Sequence, residues 1–366
     1  MILDRYFARK FLQAFLLIAV VFLTLLTLID LIEQLRRFEG YDIGFGQLFR
    51  LTLLNAPAAM SEILPLIMIL STIILFVGLA RSSELVVTRA LGRSGLRALV
   101  APVMVAIVIG GLAVSTLNPI VVATSNLYQT LSETYRSGGP SVLSLSGEGL
   151  WLRQGGDRGQ SVIHANGFSG EDGITLFDVT ILTYANGGGP VREIRAETAD
   201  LEDDTWVLSN VKVWPLAAGL NPESSAARHD ELLIPTTLTQ DRIRESLGRS
   251  TGISIYDLPQ SIRQLREAGF STRRHEVWYQ AELARPLFLV AMVLVGAAFT
   301  MRHTRFGGTG VAVLASVLLG FALYFMRNFA QILGENGQIP VAMAAWAAPI
   351  ASIFLALGLL LHAEDG

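Results

Sequence analysis

The residues best suited to chemistry in this chain are charged ones placed where charge is costly. Arg81-Ser82-Ser83-Glu84-Leu85-Val86-Val87-Thr88-Arg89-Ala90-Leu91-Gly92-Arg93 stands between two long apolar runs. A hydroxyl of Ser82 or Ser83 suits the first helical turn, Glu84 the positive N-terminal end, Arg89 the negative end and Gly92 a left-handed stop. The stretch therefore spells a two-turn helix. Leu85 and Thr88 or Arg89 share one face, and Val86 and Ala90 the next, which leaves a small apolar ridge flanked by charge. Such a ridge fits a docking knob for another protein; it also fits a solvated turn resting on headgroups.

Further charges sit where an apolar run ends. Arg36 and Arg37, followed by Phe38, lie where the first run gives way to a charged extension. A guanidinium fork there suits a phosphate, and the alternative is a snorkelling anchor. Asp30 is roughly 28 Å along a helix counted from Phe11, and Arg327 about 26 Å along one counted from Gly310, so the two have similar depths.

Several chemistries are absent. A phosphate-binding loop ends in Gly-Lys, yet the only lysines are Lys10 and Lys212, preceded by Arg9 and Val211. His275-Glu276 has Tyr279, not histidine, at the fourth following position, so it makes no zinc hydrolase pair. No strand-to-helix nucleophile elbow is expected, and the Asp203-Asp204 turn is expected to be a solvated hairpin and not a calcium site. No metal or cofactor is expected.

The elements that must position these residues are mostly apolar. A chain of 366 residues, 51% hydrophobic and 16% charged, with mean hydropathy +0.48, reads as an integral membrane protein. Runs long enough to cross a bilayer occur near 11–32, 63–80, 99–120, 279–301, 310–332 and 341–361. The apolar pattern from Gln47 to Ala80 exceeds one crossing and is expected to break at Pro57 or Pro65, leaving an interfacial helix up to Met60. The first run is too long for a secretory leader and is expected to stay. Arg5, Arg9 and Lys10, then Arg81, Arg89, Arg93 and Arg97, then Arg302, His303 and Arg305 mark one side as cytoplasmic. Both termini are expected there.

The polar middle is then external. Residues 138–250 hold 16 Asp and Glu against 9 Lys and Arg, which argues against a nucleic-acid partner. With no cysteine in the chain, no disulfide staples it. Short β-rich runs at 141–145, 150–153, 161–165, 174–184, 191–201 and 205–214 predict an all-β sandwich or open jelly roll. Its apolar side is expected to be core, or a seam for an acyl chain. Leu258, Ile262 and Leu265 fall on one face of an expected interfacial helix over 259–268. The predicted organisation is transmembrane helices one to three in 1–126 with a connecting helix at 82–92, a β domain in 127–250, a linker in 251–278 and helices four to six in 279–366.

Leu3-Asp4-Arg5-Tyr6, Ser83-Glu84-Leu85-Val86-Val87 followed by Ala90 and Gly92, and Gly149-Leu150-Trp151, set in this topology, resemble the LptF/LptG permeases of lipopolysaccharide export, the LptG branch most. The resemblance implies a permease half of an ABC transporter in the bacterial inner membrane, with the jelly-roll-like domain in the periplasm. It implies a paralogous LptF partner around a shared cavity, two LptB ATPase subunits that supply ATP hydrolysis, LptC and the periplasmic LptA bridge. Glu84, Leu85, Val86, Val87 and Arg89 would form the ATPase-coupling helix. Arg36, Arg37, Asp30, Phe38 and Arg327 would meet substrate, Arg36 and Arg37 near the glucosamine phosphates; Asp30 stands where some relatives carry a lysine. The first and fifth spans would form a lateral gate, which makes an Asp30–Arg327 pair an expectation. A lipoprotein-sorting permease and a non-transporting lipid-binding scaffold are the rival readings. Co-purification of an ATPase and the identity of bound lipid separate them.

Overall fold

A computed structural model of the chain describes residues 2–41, 43–90, 94–137, 143–146, 149–156, 159–169, 174–185, 189–202, 204–216, 222–236, 252–267, 271–301 and 309–365. The Gly92 stop, Arg93, Asp42, Asp203, Arg302, His303, Arg305 and the side chain of Arg89 lie outside the described residues. The chain divides into two units, one of 1–128, 252–256 and 273–366, the other of 129–251 and 257–272.

In the first unit α1 runs Ile2–Arg37, α2 Phe45–Arg81, α3 Glu84–Ala90 and α4 Gly95–Leu112; a π-helical turn over Ala113–Leu117 leads into α5, Asn118–Ser137, which continues into the second unit. After the second unit come α7 Arg273–Thr300, α8 Thr309–Glu335 and α9 Val341–Asp365, with α6, Leu258–Glu267, in the second unit itself. Among the described residues six helical stretches are long and apolar enough to span a membrane, as the sequence predicts. The chain is a multi-pass membrane protein.

The expected break in α2 does not occur. It is one helix of 37 residues with Pro57 and Pro65 inside it. Each proline removes one ladder bond, but in an apolar setting no water competes for the freed groups and packed neighbours hold the helix together. Pro65 is itself buried against the bundle.

Packing is uneven. Within the 18-residue apolar window of α7, 72% of residues are buried, whereas none is buried in that of α1. Small residues permit the closest approaches to α7: a Cβ on Gly110 of α4 would lie 2.6 Å from Pro286 Cα, and one on Gly296 would lie 2.9 Å from Thr72 Cβ of α2. The π turn follows that α4–α7 crossing. Its Ser115 carbonyl accepts a hydrogen bond from Tyr256 Oη at 2.9 Å, and Asn118 Oδ1 accepts from the Ile255 amide at 3.1 Å. The wider turn releases a carbonyl from the ladder, and the 252–256 segment takes it up.

Among the described residues the strands of the second unit form one antiparallel sheet in sequential order: β1 Leu143–Ser146, β2 Gly149–Gly156, β3 Gly159–Ser169, β4 Thr175–Tyr184, β5 Pro190–Glu202, β6 Thr205–Pro215 and β7 Ala227–Pro235. Leu150, Leu152, Ile163, Leu176, Ile181, Ile194, Leu201, Trp206 and Leu208 form its core. Asp178 and Asn210 have positive φ values of 51° and 53°. They fall at matching gaps in the ladder, between Phe177 and Val179 and between Ser209 and Val211. The ladder is interrupted at both positions without a change of register.

β7 was not among the predicted strands, because Arg228-His229-Asp230-Glu231 carries no apolar alternation; it is an exposed edge held by backbone pairing to β6. The helix expected over 259–268 is α6. Leu258, Ile262 and Leu265 do share a buried face of α6, and Leu265 joins the core of the sheet. Of that face, Leu265 is spent inside its own domain.

Candidate functional site

α3 is short because of what bounds it. Ser83 takes φ 58°, a left-handed turn that ends α2, and Glu84 opens the next helix. The Ser82 hydroxyl donates to Glu84 Oε1 at 2.9 Å and so does not cap the amides of the first turn as expected. Tyr6 Oη donates to Glu84 Oε2 at 2.8 Å, and Lys10 Nζ donates to Oε1 at 2.9 Å and to Oε2 at 3.1 Å. Tyr6 and Lys10 are one turn apart on α1, with the ammonium 4.6 Å from the Tyr6 ring centroid. Partial burial opposes ionisation of Glu84, but the hydrogen bonds from Lys10, Tyr6 and Ser82 outweigh it and hold the carboxyl below its ordinary value.

The apolar ridge faces differently from expectation. Leu85, 4% exposed, belongs to the core cluster with Phe7, Phe11 and Leu79, and Thr88 is buried beside it. Val86 and Val87 are 51% and 57% exposed. Leu85 thus packs into the chain's own core, and Val86 and Val87 are the apolar residues that α3 leaves exposed. A helix seven residues long has few positions, and burying Leu85 leaves only its neighbours for a partner.

At the other end of α1, Asp30 Oδ1 accepts from Asn55 Nδ2 of α2 at 2.8 Å and from Gln34 Nε2 at 3.4 Å. Gln34 Nε2 and Arg37 Nη1 both donate to Tyr128 Oη of α5, at 2.9 and 3.0 Å. Arg36 is exposed, and no partner is recorded for its guanidinium among the described residues. Phe38 is 3% exposed and packs edge-on to Tyr41 at 6.0 Å, so its ring offers no free face to a lipid.

Arg327 of α8 is buried, its guanidinium 5.2 Å from the Phe288 ring centroid. The expected Asp30–Arg327 pair is absent. α1 packs against α2 and α4, and α8 against α7, α9 and α2. Glu282 of α7 is a counter-charge that acts on Arg327, and it pairs at 3.0 Å with Arg285; Arg285 in turn donates to Ser61 of α2 at 2.9 Å. Opposite charges at equal depth had suggested the Asp30 pair, but depth along two helices says nothing of which helices touch.

The model of the family "Lipopolysaccharide export system permease LptF/LptG" matches residues 5–362 of the chain. The chain belongs to the LptF/LptG permease family. Lipopolysaccharide export system permease protein LptG of Haemophilus influenzae is 25% identical to it over 96% of the chain and 95% of that relative. Escherichia coli K12 LptG is 24% identical over 97% and 96%. As an LptF/LptG permease the chain reads as a transport subunit and not as an enzyme.

In this permease the structure joins two sets of residues. Glu84 meets Tyr6 and Lys10, and Asp30 meets Asn55 and Gln34, which stands beside Arg37 through Tyr128. Arg327 stands apart with Glu282 and Arg285. Sequence reasoning counted Lys10 only towards orientation and Tyr6 only as part of a family motif, and it missed Asn55, Glu282 and Arg285. The last two were visible as charges at i and i+3 inside an apolar run, a pattern that marks an internal ion pair. Glu62 was also missed: it is exposed near the middle of α2, with no partner recorded among the described residues. A lone carboxylate at such a depth faces water or a counter-charge and not hydrocarbon.

Proposed function

We propose that this chain is the permease half of an ABC transporter that extracts lipopolysaccharide from the bacterial inner membrane and passes it to a periplasmic bridge. The match to the permease family across almost the whole chain carries the reading. The similarity to LptG relatives favours the LptG role, with a paralogous LptF as the other half. Two LptB ATPase subunits hydrolyse ATP in this reading; the two lysines of this chain, Lys10 and Lys212, offer no phosphate-binding loop. Val86 and Val87 of α3 receive one of those subunits. The α3 end and both termini face the cytoplasm, and the β domain lies in the periplasm, where it hands lipid to LptC and LptA.

Arg36 and Arg37 contact the lipid phosphates. Arg36 is free to do so, and Arg37 keeps one nitrogen on Tyr128 as a brace, so the fork is pre-positioned. The test is purification of the chain from its native membrane in mild detergent, with mass spectrometry of bound chains and bound lipid. An LptB-type ATPase, an LptF-type permease and lipopolysaccharide together are the expected result. Absence of the ATPase would favour a non-transporting scaffold, and a lipoprotein in place of lipopolysaccharide would favour a sorting permease. Val86→Ser with Val87→Ser is expected to release the ATPase, since truncating a desolvated anchor commonly costs about 2 kcal/mol or more.

A further inference from the structure

We propose that Tyr6 and Lys10 yoke α3 to the foot of α1 through Glu84, so that a partner pushing on α3 moves α1 directly and not only through α2. The proposal rests on the reading that α3 receives an ATPase.

Three features of α3 assign its faces. Val86 and Val87 point outward and are free for a partner. Leu85 enters the apolar cluster that contains Phe7 and Phe11 of α1. The Glu84 carboxylate accepts hydrogen bonds from Tyr6, Lys10 and Ser82, so its oxygens are committed within the chain. Glu84 thus ties two helices far apart in sequence at the end of the bundle where α3 lies. Ser83, in its left-handed conformation, breaks the helix between α2 and α3, so α3 is not a rigid continuation of α2. Beyond the chain bond α3 packs against α2, and its Glu84 carboxylate is bonded to α1.

α1 is suited to respond. Its apolar middle has no buried residue, and Leu16, Leu17, Val20, Val21 and Leu25 are all half or more exposed. At its far end Asp30, Gln34 and Arg37 tie it to Asn55 and Tyr128. A rod tied at both ends, with no buried residue along its apolar middle, pivots when one end is displaced. α7 has no such freedom, because most of its apolar length is buried. Tyr6 and Lys10 are positioning residues in this scheme: they touch neither substrate nor nucleotide.

The chain has no cysteine, so labels can be placed at will. Spin labels at Leu17→Cys on α1 and Phe354→Cys on α9, both exposed, report the position of α1 in the purified complex with its ATPase. A change in the label distance on adding ATP with vanadate is expected in the parent. In Lys10→Met with Tyr6→Phe that change is expected to fall at least twofold while ATPase co-purification stays as in the parent. Lys10→Arg, and the exchange of Lys10→Glu with Glu84→Lys, are expected to restore it. An undiminished distance change in the double variant, with the ATPase bound, overturns the yoke. Absence of the ATPase from the parent complex overturns the transport reading and the relay with it. A spin label at Val87→Cys in the isolated chain tests the tie alone: it is expected to become more mobile in Lys10→Met, and unchanged mobility counts against the yoke whatever the ATPase does.

Discussion

Lys10 and Asp30 lie towards the two ends of α1, and each is bonded to a neighbouring helix; Glu282 and Arg285 lie inside the buried length of α7 and bond each other. Apolar surface follows the opposite order, exposed along the middle of α1 and enclosed along α7. Position in the bundle, not hydrophobicity, separates the two helices, since both are apolar enough to cross a membrane. Charge at the ends of a helix fixes where it can pivot. Charge in the middle of a buried helix fixes what it packs against, because an ionised group there must keep its partner.

The largest effect that would break this contrast is at Glu282. Its side chain is 5% exposed and that of Arg285 15%. Glu282→Ala leaves Arg285 and Arg327 as neighbouring buried cations without a counter-charge, and loss of one partner of a buried pair costs about 3–5 kcal/mol. A marked fall in the unfolding temperature in detergent is expected, with much of it recovered by Glu282→Met combined with Arg285→Met. Equal stability of Glu282→Ala and the parent would mean that α7 is not pinned by this pair.

Next in size is a matched pair of truncations. Met292 of α7 is 1% exposed and Leu17 of α1 is 60% exposed. Met292→Ala is expected to cost about 2–5 kcal/mol, as core truncations do, and Leu17→Ala within about 0.5 kcal/mol. Thermal unfolding of the two variants in one detergent measures the difference. Similar losses would erase the distinction between a packed and an unpacked span.

Much of this was legible from sequence, and the limits have physical causes. Six apolar runs and a β-rich insert follow from composition and period, because crossing length and alternation are local properties. The α3 helix was legible from Ser83, Glu84 and the valines. The facing of Leu85 was not, since two turns of helix offer several faces and only Phe7 and Phe11 decide which one is buried. The exposed strand β7 escaped because backbone pairing, not side-chain pattern, makes an edge strand. Asp30 found Asn55 and Gln34 in place of Arg327 for the same reason: partners are chosen by which helices pack, a long-range property.

Glu62 sharpens the comparison on a third helix. It is as exposed as the middle of α1, yet holding an ionised carboxylate against hydrocarbon there costs about 2.5–3.5 kcal/mol. That face of α2 is therefore expected to meet water in the assembled permease. Glu62→Cys should react with a charged, membrane-impermeant thiol reagent in the intact complex, whereas Phe354→Cys on the exposed face of α9 should react only with an apolar one. If both cysteines resist the charged reagent, α2 turns Glu62 towards a partner's cation instead.

The smallest effect tests the foot of α1 by pH. Glu84 is partly exposed, so its pair with Lys10 contributes only about 0.2–1 kcal/mol, but that is enough to change how often α3 swings free. Its carboxyl lies below the ordinary value in the folded chain, held there by hydrogen bonds from Lys10, Tyr6 and Ser82 against the opposing effect of burial. A depressed carboxyl stabilises the fold above the unfolded value near 4.5 and loses that contribution as pH falls through the lower folded value. The tie is therefore intact at neutral pH and weakens only in acid. A spin label at Val87→Cys should stay immobile from pH 8 to about 5 and loosen below, and in Glu84→Gln it should be looser at neutral pH and insensitive to acid. Loosening of the parent already near pH 6–7, or an unchanged acid response in Glu84→Gln, would place the controlling group elsewhere and leave Leu85 as the only grip of α3 on α1.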